Sequence, residues 1–215
     1  MPGAGETAGR LRSLGYDPVV APLLRIRPVP QPTPDLDGVA ALVFTSRNGV
    51  AAFASLCGGG RSLPVFTVGA ATAEAARAAG FASVRSADGD LADLARLLER
   101  EGPAGGRVLA PGAVEPAGDL AALTPTLMTL KRLPVYEAVA TGVASPHAFE
   151  AVLLHSPRAG RMLADRGPFA GGTAVAISVA AAEALGGDLG LEIRVATRPD
   201  EPALLAALGK AVPPV

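Results

Sequence analysis

Hydroxyl and guanidinium side chains follow a short apolar stretch in the first quarter of the chain. Residues 42–44 form an apolar, strand-like segment, and Thr-Ser-Arg-Asn at 45–48 leads into a helical pattern. A hydroxyl at a helix start can accept a hydrogen bond from a free backbone N–H group, and the same helix start attracts an oxyanion. The pattern therefore predicts that Ser46 and Arg47 bind an anionic ligand. Helix capping by Ser46 is the simpler alternative.

This arrangement returns 110 positions later (156 − 46), where Ser156 takes the place of Ser46 and Arg158 lies in the next helix start. Two further segment pairs share an offset of 109 (177 − 68): residues 68–75 resemble 177–184, and residues 2–14 resemble 111–123. A tandem repeat of about 110 residues predicts two similar domains of about 100 residues each.

A second strand-to-helix turn carries Gly69 and Thr72. Glycine allows the backbone to approach a ligand closely, and Thr72 can offer a hydroxyl beside free N–H groups. We interpret both residues as further ligand contacts. An ordinary tight turn is the alternative for Gly69.

Cationic side chains and one tyrosine lie near two proline-bearing extended segments. The cations are Arg25, Arg27, Lys131 and Arg132, and the tyrosine is Tyr136, one of only two in the chain. Each cation alone fits a solvated surface, but the group around a cleft suits a ligand with several carboxylates, and Arg25 is expected to contact it. A phenol can donate a proton into such a cleft, whereas packing in the core is the alternative for Tyr136.

Composition and charge exclude several classes of function. The formal net charge is −1, with 17 Arg and two Lys, so the sequence lacks the basic excess that general nucleic-acid binding requires. It has no apolar run near the ~18 residues of a membrane span and no signal-peptide pattern at its start, so we expect a soluble, cytoplasmic protein. Cys57 is the single cysteine, which rules out an internal disulfide.

Common catalytic signatures do not occur in the sequence. There is no catalytic triad, no paired-carboxylate signature, no phosphate-binding loop and no His/Cys ligand set. Hydrolysis and metal chemistry therefore lack support, and we expect no metal and no cofactor. The remaining chemistry comes from backbone donors, hydroxyls and arginines.

Strands and helices are predicted to alternate, which indicates an α/β fold with parallel sheets and helices on both faces. A helix over residues 2–14 is followed by an extended segment that includes Val19, Val20 and Ile26. The other predicted strands are 39–45, 64–68, 83–86, 107–110, 127–133, 151–155, 173–178 and 192–196, and the other predicted helices are 47–56, 70–79, 90–101, 115–123, 157–165, 179–186 and 201–211.

The repeat and the proline-bearing segments also predict how the chain divides. We expect a discontinuous first lobe of residues 1–30 plus 138–215 and a second lobe of residues 35–132, joined by a hinge at 25–35 and 132–142. Such an arrangement crosses between lobes twice, and the cleft between the lobes is the default ligand site.

One strand of the repeat has no counterpart in the first lobe. Residues 107–110 form a strand-like segment directly before Pro111, whereas Pro2, the counterpart of Pro111, is preceded only by Met1. We therefore expect the sheet of the first lobe to lack its N-terminal strand and to have one strand fewer than the sheet of the second lobe.

Several motifs in their order along the chain resemble the uroporphyrinogen-III synthase family. They are Phe-Thr-Ser-Arg-Asn-Gly-Val at 44–50, Val-Gly-Ala-Ala-Thr-Ala-Glu-Ala at 68–75, Pro-Val-Tyr-Glu-Ala-Val at 134–139, Leu-Leu-His-Ser-Pro-Arg-Ala-Gly at 153–160, and residues 196–208. Each motif is short, but their joint order and spacing are specific and cover nearly the whole chain.

The resemblance implies two flavodoxin-like lobes joined by a two-strand ladder. It implies a cofactor-free lyase of tetrapyrrole and heme biosynthesis that closes linear hydroxymethylbilane to uroporphyrinogen III, with inversion of ring D and loss of water. By the family's motif, Tyr136 becomes the catalytic proton donor, and Ser46, Thr72 and Ser156 become substrate contacts. The expected partner is this small molecule alone, with no nucleic acid, no membrane and a monomeric state.

The sequence departs from the family in the second copy of the repeat. Where the family usually has Gly-Pro-Thr-Thr-Ala, residues 178–182 are Ser-Val-Ala-Ala-Ala, which removes two hydroxyls and a glycine. An impaired copy of the enzyme is therefore one alternative. The other is a non-enzymatic two-lobed module that closes on a small anionic ligand.

Overall fold

Strand and helix alternate along the chain, and the computed structural model describes residues 2–124, 128–144, 146 and 148–209. The helices are α1 (Pro2–Ser13), α2 (Arg47–Leu56), α3 (Ala70–Ala78), α4 (Leu91–Glu101), α5 (Leu120–Leu123), α6 (Pro157–Ala164), α7 (Val179–Glu183) and α8 (Glu201–Leu208). The strands are β1 (Leu24–Pro28), β2 (Val39–Phe44), β3 (Pro64–Thr67), β4 (Ser83–Ser86), β5 (Arg107–Ala113), β6 (Thr129–Ala140), β7 (Ala151–Leu154), β8 (Thr173–Ala176) and β9 (Glu192–Val195). The predicted α/β class is confirmed.

The chain divides into two compact units. Unit 1 comprises Met1–Arg25 and Val139–Val215, and unit 2 comprises Ile26–Ala138. Among the helices within the described ranges, none is long and apolar enough to cross a membrane.

Unit 2 is organised around strand β2. The sheet has the order β1-β6-β5-β2-β3-β4, and the pairs from β6 through β4 are parallel. Apart from the half-buried Ala40, every residue of β2 is buried, as expected for a central strand covered by helices on both faces. On one face Phe44 packs with Phe53 of α2 and Phe81, and on the other Val43 packs with the leucines of α4.

Local capping residues explain where the helices of unit 2 begin. The Asp90 side chain accepts from the backbone of Ala92 and Asp93, while the Asp93 side chain accepts from the Asp90 backbone, a reciprocal capping box at α4. At α5, the Asp119 carboxylate accepts from the backbone N–H groups of Ala121 and Ala122. The helix predicted over 115–123 is therefore wrong at its start. Strand β5 continues to Ala113, and α5 begins only at Leu120, after the Asp119 cap.

Unit 1 contains a smaller parallel sheet with the order β7-β8-β9. Helices α6 and α7 cover one face through Leu163 and Ala181, and α8 covers the other through Leu204, which packs on Val175. Helix α1 joins this unit through hydrogen bonds from Thr7 and Arg10 to Glu201. Helix α8 ends at Leu208, and Gly209 follows with a φ of 92°. The helix predicted over 201–211 is therefore shorter than predicted, and its last two residues lie outside the described ranges.

The N-terminal extended segment departs from the prediction. Residues 16–23 form neither helix nor strand, and β1 begins only at Leu24. Val19 and Val20 are 71% and 50% exposed. A strand needs a neighbour for its backbone hydrogen bonds, and no strand of the described residues pairs with Val19 or Val20. Among the described residues, the sheet of unit 1 has three strands and that of unit 2 has six, a larger difference than the predicted single strand.

Strands β1 and β6 contain the two points where the chain passes from one unit to the other. The backbone N–H of Val29 donates to Val135, and that of Thr141 donates to Leu23. Because the residue number falls in one strand as it rises in the other, the two strands run antiparallel. Strand β6 is longer than the predicted strand over 127–133, whose first residue lies outside the described ranges.

Candidate functional site

Ser46 lies at the carboxyl end of the central strand of unit 2. It is the N-cap of α2, and its Oγ accepts a hydrogen bond of 3.1 Å from the backbone N–H of Gly49. This edge of a parallel sheet, where strands end and helices begin, is the usual place for a ligand in such folds.

The hydroxyl of Tyr136 meets Ser46 at this edge. Ser46 Oγ and Tyr136 Oη are 2.8 Å apart, and either hydroxyl can be the donor. The Tyr136 residue is 8% exposed, so the ring is packed in unit 2 while its polar end is hydrogen-bonded. The core-packing and polar roles considered for this tyrosine are therefore compatible.

The sheet register places Tyr136 opposite the end of β5. Tyr136 pairs with Ala113 after an irregularity between Gly112 and Ala113, and the backbone N–H of Val114 donates to the Tyr136 carbonyl at 2.9 Å. The Arg132 guanidinium donates to the carbonyls of Ala113 and Val114 at 3.2 and 3.0 Å. These bonds fix the segment of β5 that adjoins the tyrosine.

Helix α2 approaches β5 closely because its first turn contains Gly49. A Cβ at this position would lie 2.8 Å from the Pro111 carbonyl oxygen and 3.5 Å from Ser46 Oγ. A methyl group would clash with backbone that cannot rotate away. Glycine thus sets the spacing between the helix carrying Ser46 and the strand beside Tyr136.

The second predicted turn lies next to the first. The N–H of Val68 donates to the Phe44 carbonyl, so the ends of β2 and β3 are adjacent. Gly69 is the N-cap of α3, and because it is a glycine it has no side chain to cap the helix. Thr72 is only 6% exposed, and its backbone N–H donates to the Gly69 carbonyl. Sequence reasoning missed Thr67, whose buried hydroxyl lies 3.4 Å from the Gly69 carbonyl oxygen and 3.3 Å from that of Arg85.

The four cations that were predicted to surround a ligand differ in their contacts. Arg27 forms an ion pair of 2.7 Å with Glu137, and Arg132 is bound to backbone carbonyls. Arg25, Arg47 and Lys131 are exposed. Arg27 and Arg132 each have an acceptor on or next to a neighbouring strand. The sequence pattern does not show which strands are neighbours, so it could not predict these contacts.

Unit 1 repeats the capped helix starts. Ser156 Oγ accepts from the Ala159 N–H at 3.2 Å at the start of α6, and Arg158 is half-buried in its first turn. Ser178 Oγ accepts from the Ala181 N–H at 3.3 Å at the start of α7. The N–H of Ile177 donates to Leu154, so these two helix starts are adjacent, as they are in unit 2.

The site residues thus form one set in each unit. Ser46, Arg47, Gly69, Thr72 and Tyr136 belong to unit 2, and Ser156, Arg158 and Arg25 belong to unit 1. In the part of the chain that the structure describes, no three His, Cys, Asp or Glu side chains come together in a way that could hold a metal ion. Both sets offer a ligand hydrogen-bonding groups and positive charge.

The chain matches a known protein family over most of its length. A sequence profile described as "Uroporphyrinogen-III synthase HemD" matches residues 5–206. The chain belongs to the uroporphyrinogen-III synthase family. The resemblance drawn from the motifs is confirmed, and with it the association with heme and tetrapyrrole biosynthesis.

Solved uroporphyrinogen-III synthases share the fold. The structure of the enzyme from Helicobacter pylori 26695 matches with a TM-score of 0.63 at 19% identity, covering 89% of this chain and 94% of that one. A mutant enzyme from the extremely thermophilic bacterium Thermus thermophilus matches with a TM-score of 0.53 at 17% identity, covering 98% of this chain and 87% of that one. A comparison with curated protein sequences gave no match.

Proposed function

We propose that this member of the uroporphyrinogen-III synthase family cyclises linear hydroxymethylbilane to uroporphyrinogen III, with inversion of ring D and loss of water, as a cofactor-free lyase. Family membership over residues 5–206 supports the reaction class. The observation that carries the proposal is the 2.8 Å contact between the Ser46 and Tyr136 hydroxyls beside the start of α2.

Substrate binding follows from the capped helix starts. Hydroxymethylbilane carries eight carboxylates, and backbone N–H groups at helix starts bind anions without requiring a high net charge. The helices α2 and α3 in unit 2 and α6 in unit 1 offer such groups. This arrangement suits a protein whose formal net charge is only −1.

Tyr136 is the proposed proton donor, and Ser46 is proposed to orient it. Ser46 Oγ already accepts from the Gly49 N–H, which leaves its own O–H available to donate to Tyr136 Oη. In that arrangement the phenol O–H points to a different acceptor, the departing hydroxyl of ring A. As the C–O bond breaks, a proton supplied to the hydroxyl releases it as water.

The proposal extends to the residues of unit 1. Ser156, Arg158 and Arg25 bind carboxylates of the same substrate, and residues 25–35 and 132–142 act as the hinge between a first lobe of residues 1–30 plus 138–215 and a second lobe of residues 35–132. Holding the flexible tetrapyrrole so that its ends meet supplies most of the catalysis. A monomer is sufficient for this reaction.

The test is the isomer of the product. Hydroxymethylbilane closes spontaneously to the type I isomer, so incubation with the purified protein should divert the product to type III, and heat-denatured protein should not. If the protein binds hydroxymethylbilane saturably but yields only type I, the chain is a binding module or an impaired copy and the proposed activity is refuted.

A further inference from the structure

Strand β6 carries one extra residue directly before Tyr136. Up to Gly112, which pairs with Pro134, the register of β5 and β6 advances one residue at a time. The next residue of β5, Ala113, pairs with Tyr136, so Val135 is skipped and forms a β-bulge. Successive side chains of a strand point to opposite faces of the sheet. One extra residue therefore exchanges the faces of the residues that follow it.

The apolar residues of β6 show which face Tyr136 would take without the bulge. Leu130 packs in the core that contains the leucines of α4, and Leu133, three positions later, packs in the core that contains Phe53 of α2. Regular alternation would place Tyr136, three positions after Leu133, on the α4 face. The bulge returns it to the α2 face, where its Oη lies 2.8 Å from Ser46 Oγ.

The end of β5 that pairs with the bulge is held mainly by β6. Among the described residues, the register of β5 with β2 ends at Leu109, whereas its register with β6 continues to Ala113. Directly after the strand, the backbone N–H of Val114 donates to the Tyr136 carbonyl at 2.9 Å. A shift of residues 110–114 would therefore shift the backbone of the tyrosine.

Arg132 binds this segment through its side chain. It lies two positions after Leu130 and therefore belongs to the α4 face, opposite to the hydroxyl pair. Its Nη2 donates to the carbonyl oxygens of Ala113 and Val114 at 3.2 and 3.0 Å. These are the two residues that pair with Tyr136 or donate to it. Hydrogen bonds from a charged donor are about twice as strong as neutral ones, so this contact is suited to fix the end of β5.

We propose that Arg132 is a positioning residue: its guanidinium clamps the end of β5 and thereby holds the Tyr136 hydroxyl beside Ser46. The catalytic consequence rests on the proposed function, in which Tyr136 is the proton donor. This role differs from the one predicted from the sequence, where Arg132 belongs to a group of cations around a carboxylate ligand. Here the guanidinium acts through the tyrosine.

The experiment replaces Arg132 by methionine, which keeps an aliphatic side chain and removes the donors. Arg132 is exposed, so the variant should fold. In the type III assay kcat should fall by about 10- to 100-fold, because a displaced proton donor is less effective. KM should change by less than about twofold. In a chain that already carries Tyr136→Phe, Arg132→Met should lower kcat by less than about twofold, because the hydroxyl it positions is absent.

Arg61→Met is the matched control. Arg61 also donates to two backbone carbonyls of unit 2, those of Gly59 and Ala54, at 3.1 and 3.4 Å. It precedes β3 and so lies at the edge of the sheet opposite to Ser46. Its replacement should leave kcat and KM at the parent values.

A second measurement needs no substrate. The sequence has two tyrosines, Tyr16 and Tyr136, and no tryptophan. In a Tyr16→Phe chain, the tyrosine band of the near-ultraviolet circular dichroism spectrum therefore reports Tyr136, and this band depends on fixed packing around the ring. Ser46→Ala gives the band of Tyr136 without its hydroxyl partner. Arg132→Met should shift the band in the same direction, and Arg61→Met should leave it unchanged.

Several results would overturn the proposal. They are an unchanged tyrosine band in Arg132→Met, an unchanged kcat, or an equal loss of kcat with and without Tyr136→Phe. A rise in KM at constant kcat would also overturn it and show that Arg132 binds a substrate carboxylate instead. If the parent yields only the type I isomer, the proposed function fails, and the spectrum alone decides the role of Arg132: a shifted band supports the clamp and an unchanged band refutes it.

Discussion

Replacing Gly49 by alanine tests whether close packing of α2 on β5 sets the geometry of the Ser46 and Tyr136 pair. The added Cβ would lie 2.8 Å from the Pro111 carbonyl oxygen, and this acceptor is backbone within a paired strand. The helix must therefore move away from the strand by several tenths of an ångström. That movement carries Ser46 away from Tyr136.

The expected magnitude follows from two opposing terms. Overpacking of this kind costs about 1–3 kcal/mol, while glycine to alanine within a helix gains about 1 kcal/mol. The net loss should be at most about 2 kcal/mol, which lowers Tm by up to about 8 °C for a chain of this size. If the proposed reaction is correct, type III formation should fall further than the folded fraction does.

Gly9→Ala is the matched control, because Gly9 also lies in a helix but has no atom within 4 Å of the position that an added Cβ would take. That variant should gain about 0.5–1 kcal/mol. Urea unfolding of both variants and the parent measures the difference. A Gly49→Ala chain as stable as the Gly9→Ala chain would refute the close-approach argument.

Three other variants probe the site and the acid stability of unit 2. Tyr136→Phe should lower kcat for type III formation by about 10- to 1000-fold with a smaller change in KM, and full activity in a folded variant would exclude proton donation by Tyr136. Ser46→Ala should weaken substrate binding modestly, lower kcat for type III formation because Tyr136 loses its hydroxyl partner, and reduce the free energy of unfolding by about 1 kcal/mol through loss of the α2 cap; an unchanged unfolding curve would contradict the capping role. The hydrogen bond from the Asp90 backbone and the Arg96 guanidinium hold the pKa of Asp93 below its ordinary value of 3.8. A lowered carboxyl pKa adds stability at pH values above the ordinary pKa, and this stability is lost as the pH falls through the lowered pKa. The Tm difference between the parent and Asp93→Asn should therefore be constant near neutrality and shrink in acid. A Tm difference that persists at the lowest pH would contradict a stabilising role for the Asp93 carboxylate.

The turn that carries Ser46 could be predicted almost completely from the sequence. The strand predicted over 39–45 ends at Phe44, and the helix predicted over 47–56 occupies those residues. A continuous apolar run, a capping hydroxyl and a helical pattern are local features, and each acts within a few residues of its own position.

Elements whose formation depends on a neighbour could not be predicted in the same way. Val19 and Val20 have the residue types of a strand, yet they remain irregular because no described strand pairs with them. Arg27 and Arg132 have the residue type of ligand-binding cations, yet acceptors on adjacent strands engage them. In both cases the composition of the segment is suitable, and the partner across the sheet decides the outcome.

The sequence by itself marked Ser46 and Tyr136 as separate candidates, one at a helix start and one in a proline-bearing extended segment. Only the tertiary structure joined them, across 90 positions of sequence. Strand β6 lies beside β5, β5 lies beside β2, and an irregularity after Gly112 sets the register of Tyr136. The glycine at position 49 then lets α2 approach β5 closely. Strand order and register arise from packing over the whole sheet, so no local pattern in either segment encodes the distance between the two hydroxyls.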